Sequence, residues 1–211
     1  MKHVNRTTVA TATLVITAAL GVAGCGNDSD SGSMPGMDHG SHTPAPSSTA
    51  TEAAFNDADV TFASQMILHH QQAVQVASMA GYQATTPAVK QLASAIKAAQ
   101  GHEMQQMSGW LTSWGKPVPS PSHGGHDMSE SMPGMMTEDE MSELGNAKGA
   151  MFDRMWTLKM INHHGGAVTG SKTEQTTGKN TAAIALAKKI ETDRTKEIAT
   201  MHRLLGQLPA R

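Results

Sequence analysis

The side chains best suited to chemistry sit in one nine-residue phrase that the chain writes twice. Met66-Ile67-Leu68-His69-His70-Gln71-Gln72-Ala73-Val74 returns as Met160-Ile161-Asn162-His163-His164-Gly165-Gly166-Ala167-Val168, 94 residues later. At the same offset Glu103 falls on Glu197 and Met107 on Met201. Each half thus holds two imidazoles, a carboxylate (with His102 beside the first) and two thioethers. Such groups are costly to bury unless paired or bound to a metal. Imidazole with thioether suits copper in its two oxidation states, while His with Glu leaves zinc open. Di-iron bundle sites need Glu-x-x-His on two helices, and neither Glu103 nor Glu197 has a histidine three residues on. The competing expectation is a hydrogen-bonded His/Glu pair in each half, with methionine as core filler.

A second set of donors lies in low-complexity stretches. Met34, Met37, His39 and His42 fall in one; His123, His126, Met128, Met132, Met135 and Met136 fall in another. Met-Pro-Gly-Met occurs in both. Thioether sulfur is soft and needs no deprotonation, so these stretches are expected to capture Cu(I).

The histidines need elements to position them. Apolar and small residues from Phe55 through Phe62, Met66, Ala73 and Ala77 to Ala80 recur at three- and four-residue spacings, predicting a helix over 57–80 that Gly81 stops. Both histidines lie in its buried stripe, about 100° apart. Thr85 or Thr86 before Pro87 reads as the cap of a second helix, with Leu92, Ile96, Glu103, Met107, Trp110 and Trp114 on its stripe. Thr137 to Glu140 reads as a capping box, followed by a short helix to Leu144. A third long helix starts near Ala150. Gly165, Gly166 and Gly170 weaken its end, so 171–179 is expected to be a polar loop. The fourth, over 181–205, shows Leu186, Ile190, Asp193, Glu197, Met201 and Leu204. Each repeat is then a helical hairpin, and two hairpins bury each other's stripes as an antiparallel four-helix bundle, all-α and ferritin-like.

With 211 residues there is room for one domain and tails. Aromatics make up 3 %, so the core must be Ala, Leu, Ile, Val and Met. The net charge of −2 gives no reason to expect a nucleic-acid partner. Lys2 and Arg6 precede an apolar stretch too short to span a membrane comfortably, which ends at Val22-Ala23-Gly24-Cys25. This resembles a lipobox, with Cys25 as the lipidated residue. The expected organisation is a signal peptide over 1–24, a disordered tether over 25–54 and the bundle over 55–208. Within the bundle, 55–115 is the first hairpin, 116–137 a Met/His-rich linker and 138–208 the second hairpin.

Met-x-x-His-His-x-x-Ala, at Met66–Ala73 and Met160–Ala167, followed by Glu-x-x-x-Met, at Glu103–Met107 and Glu197–Met201, resembles the family known as domain of unknown function 305. The resemblance covers roughly 55–208. It implies a ferritin-like bundle, often exported, with members linked to copper binding and resistance and no assigned reaction. The usual Met-Ala after the first phrase is present as Met79-Ala80. The second copy does not repeat that pair, which sets apart the expected metal loading of the two halves. The expectation for this chain is a membrane-tethered, extracytoplasmic copper-binding lipoprotein that sequesters copper or hands it to a copper-handling protein. The alternatives are a bundle-type metal-dependent oxidase and a metal-free structural or interaction module.

Overall fold

A computed structural model describes residues 54–120 and 132–209. They form α1 (Asp57–Gln83), α2 (Pro87–Ser113), α3 (Glu138–Asn146), α4 (Gly149–Thr177) and α5 (Thr181–Gln207). The architecture is all-α, as the duplicated stripes require. The α1/α2 and α4/α5 hairpins join mainly through α1 against α4; α2 and α5 touch only briefly, and α3 rests on α4. The α1/α4 seam is antiparallel: Trp156 donates its indole N–H to the Val76 carbonyl at 3.0 Å, and His69 lies against His163. One apolar cluster, with Phe62, Met66, Met107 and Ile190, lies on one side of the histidines. Another, with Ile96, Trp156, Met160 and Met201, lies on the other.

Capping explains much of the register. Asn56 and Asp59 close a reciprocal capping box at the start of α1, and Thr137 and Glu140 do so at α3, as the sequence spacing predicts. The start of α2 differs. Thr86 stands at the cap position, but its side chain caps nothing. Asp153 of α4 serves instead, accepting from Thr85 N (3.1 Å), Thr85 Oγ1 (2.9 Å) and Thr86 N (2.8 Å). Asp59 returns the favour in the other half, accepting from Lys179 N (3.0 Å) and Asn180 N (2.9 Å). Each hairpin therefore supplies an acceptor at the start of the other's second helix, and in α5 Asn180 adds its own cap, accepting from Ala182 N and Ala183 N at 3.0 Å. Asp153→Ala leaves three donors without their acceptor, and the expected loss is about 2 kcal/mol. It should appear as a lower urea midpoint at unchanged slope.

Three expectations need correction. α1 runs past Gly81 to Gln83. α4 does not fray into a polar loop at Ser171 but continues to Thr177. Helix propensity disfavours its glycines, yet Ser171 and Glu174 are buried, and tertiary packing overrides the weak local cost. In α5 the buried residue is Arg194 rather than Asp193, which is half-exposed and bound to Lys189 at 2.7 Å.

Candidate metal centre

His69, His70, His163 and His164 are all buried where α1 crosses α4. The His69 and His163 rings face each other, with centroids 3.7 Å apart and planes inclined by 33°. Their neighbours stand further off, 6.3 Å from His69 to His70 and 6.4 Å from His163 to His164. The outer pair is anchored. His70 Nε2 lies 2.8 Å from Glu103 Oε2, and His164 Nε2 lies 2.8 Å from Glu197 Oε2. The inner pair has no carboxylate: both ring nitrogens of His163 are without a partner, and His69 has at most the Pro133 backbone of the strap near it.

One cation ties the two halves together. Arg194 donates to Glu197 at 2.5 Å and to Glu103 at 2.6 Å. Burial alone would raise the Glu103 pKa; the His70 hydrogen bond and the Arg194 charge outweigh it and hold the carboxyl at about 2. Glu197 is lowered in the same way, through His164 and Arg194. Burial pushes His69 and His163 well below the usual imidazole range, with neighbouring histidines adding to the effect. Burial also lowers His70 and His164, although their glutamates pull the other way. Four neutral imidazoles therefore surround two carboxylates and a guanidinium. Each carboxylate accepts the Nε2–H of a neutral ring, which leaves the Nδ1 lone pair of His70 and of His164 free.

A strap covers this layer. Gln72 of α1 grips Met136 by both backbone atoms, donating to its carbonyl and accepting from its N–H, each at 2.8 Å. Met132, Met135 and Met136 are buried in consequence. The strap approaches α4 so closely that a Cβ on Gly166 would overlap the Pro133 carbonyl oxygen. Gly134 has φ +80° and sits against the Asn162 carbonyl, a second position only glycine fits. The Met132 and Met66 methyl groups meet over Gly170. Gly165, one residue away, faces open space. On propensity alone either glycine-to-alanine change would stabilise α4 by up to about 1 kcal/mol. Gly165→Ala is expected to do so. Gly166→Ala should instead cost about 1–3 kcal/mol and expose the strap methionines, read as faster peroxide oxidation of Met132, Met135 and Met136.

Among the site residues expected from sequence, the structure gathers His69, His70, His163, His164, Glu103 and Glu197 into one layer. Met66 and Met107 lie in the cluster on one side, Met160 and Met201 on the other, and Met132, Met135 and Met136 in the strap. His102 is exposed on α2 and does not join them. Cys25, Met34, Met37, His39, His42, His123, His126 and Met128 lie outside the described residues. Sequence reasoning missed Arg194, Gln72 and the close approach at Gly166. Arg194 was legible: it is three residues from Glu197 and four from Ile190, on the same helical face. Among the described residues no three His, Asp or Glu side chains converge as a finished coordination group. The fit to a metal rests on the buried, unpartnered ring nitrogens and the thioethers near them, a donor set for a soft ion of low coordination number.

Comparison with known proteins agrees with this architecture. The profile of Domain of unknown function (DUF305) matches residues 59–205. A DUF305 protein from Streptomyces coelicolor, assigned as secreted, is 31 % identical with a TM-score of 0.63, covering 71 % of this chain and 93 % of its own. A DUF305 fragment from Deinococcus radiodurans is 29 % identical with a TM-score of 0.66, covering 72 % and 98 %. CopM in its Cu(II)-bound form is 30 % identical with a TM-score of 0.60, covering 71 % and 96 %. No curated protein matches the chain. The doubled His-His phrase, the crossed hairpins and the matched span together place this chain in the DUF305 family.

Proposed function

We propose that the chain is an extracytoplasmic, membrane-anchored copper-binding protein that sequesters the metal or passes it on. The observation that carries this reading is the set of buried imidazole nitrogens without partners. An unpaired buried polar atom costs about 1–3 kcal/mol, and a cluster of them on four histidines of one layer asks for a ligand. His69 and His163 would bind through either ring nitrogen, and His70 and His164 through Nδ1. Glu103 and Glu197 would then orient rings rather than ligate. Met66, Met107, Met160, Met201 and the strap methionines offer thioether sulfur, which favours Cu(I). CopM, a structural neighbour at 27–30 % identity in these forms, is known bound to Cu(II), to Cu(I) and to silver, which supports copper over zinc. Anchoring rests on Cys25 after the apolar leader, and the Met/His-rich tails would load or unload the bundle.

Thermal unfolding of the full chain tests the core apart from the tails, because only binding linked to the fold shifts the midpoint. A hundredfold excess over the dissociation constant adds about 2.7 kcal/mol, roughly 5–10 °C for a chain of this size. Cu(I) under reducing conditions is expected to give such a shift. Replacing His69, His70, His163 and His164 by Gln should remove it while far-UV dichroism keeps its helical form. Absence of the shift in the natural sequence, or its persistence in the quadruple variant, would return the histidines to a hydrogen-bonded core.

A further inference from the structure

Imidazoles and thioethers bring no charge to a bound cation. In a buried layer the compensating charge must then come from fixed groups nearby, because an unbalanced buried ion is costly. Three such groups touch the histidine layer: Glu103, Glu197 and Arg194, with side chains 5 %, 20 % and 1 % exposed. Lys189 also approaches Glu103, at 3.6 Å, but it is 59 % exposed and bound to Asp193 at 2.7 Å, so the two surface charges cancel. Two carboxylates and one guanidinium leave a single negative charge.

That single charge depends on one break in the duplication. The residue 94 positions before Arg194 is Gln100, equally buried, with its side-chain oxygen unpartnered. Glutamine at both positions would leave two negative charges around the rings. Arginine at both would leave none. We propose that Arg194, set against Gln100, tunes the histidine layer to a single soft monovalent cation and against divalent ones. The inference rests on the metal-binding reading of this layer and adds valence selectivity to it. Unit charges interact strongly across a protein interior, so one charge suffices to reorder the preference by about tenfold or more.

Ag(I), a redox-inert soft monovalent ion, and Cu(II) serve as probes, with thermal unfolding of the full chain as readout. The natural sequence should be stabilised more by Ag(I) than by Cu(II). Arg194→Gln should reverse that order. Glu197→Gln leaves no net charge and should lose the Ag(I) shift. Arg194→Gln combined with Glu197→Gln restores one negative charge and should regain it, a rescue that a purely structural role for either residue does not give. The double variant also carries the test if Arg194→Gln folds poorly. Unchanged preference in Arg194→Gln, or no Ag(I) shift in the double variant, overturns the inference. Stronger stabilisation of the natural sequence by Cu(II) overturns it while leaving the metal-binding reading intact. No shift with either ion removes the metal-binding reading and the inference together.

Discussion

The metal-free protein is expected to lose stability as the pH falls below 6.5, with urea midpoints dropping steeply through the acid range. Burial lowers all four layer histidines from their ordinary value of 6.5, so the unfolded chain takes up their protons first. Stability from such groups is full above the unfolded pKa and lost as the pH falls toward the folded one. Glu103 acts in the same direction over a lower window: with its carboxyl held at about 2 instead of 4.5, it contributes about 3 kcal/mol that disappears between those values. Glu197, also lowered, adds to this limb. Glu174 has the opposite sign. Burial, with the Asp59 carboxyl beside it, raises it from 4.5 to about 8. Its contribution is present below 4.5 and lost as the pH rises through 8. Urea titrations across the pH range should therefore show a maximum between two declining limbs, and Glu174→Gln should flatten the alkaline one. In the Glu174→Gln variant, where that opposing limb is gone, a profile flat from pH 7 to pH 4 would mean that the histidines are not buried as neutral rings.

Arg194→Met is expected to cost about 3–5 kcal/mol in the metal-free protein, the largest loss for any single change in the bundle. The substitution keeps the apolar stem but strands two carboxylates in the core. Arginine suits the position because its planar fork reaches both acceptors at once. Arg194→Lys should recover only part of the loss, since a compact ammonium cannot span Glu103 and Glu197 together. The loss should also shrink at low pH, where protonated carboxyls no longer need the cation. A cost below about 1 kcal/mol at neutral pH would place the network at the surface rather than the centre.

The bundle was legible in the sequence because the duplication doubles every signal. His69 and His163, Glu103 and Glu197, Met107 and Met201 each vouch for the other, and the 3.6-residue period put them on buried faces. The reading failed where tertiary contacts overrule local rules. Gly166 reads as a helix breaker, yet it is glycine because the Pro133 carbonyl occupies the space of its side chain. Thr86 reads as a cap, yet Asp153 supplies the acceptor from 67 residues away. The 132–136 segment reads as linker because its composition is low in complexity, yet the Gln72 amide fixes it over the rings. Arg194 lies on the stripe by its spacing, but a charged residue there reads as an interruption of it. Glu103 on α2 and Glu197 three residues along its own helix make its burial tolerable.

The crossed caps at Asp59 and Asp153 have a further consequence. In each hairpin, backbone N–H groups at the start of the second helix find their acceptor on the other hairpin. A half-length chain would leave those donors without acceptors unless it paired with an identical copy. Identical copies related by a twofold axis can place no arginine beside the rings, or two, but never one. Joining the halves in one chain removed that parity rule. The odd charge at the centre of this protein is something only a fused, and hence divergent, pair of repeats can hold.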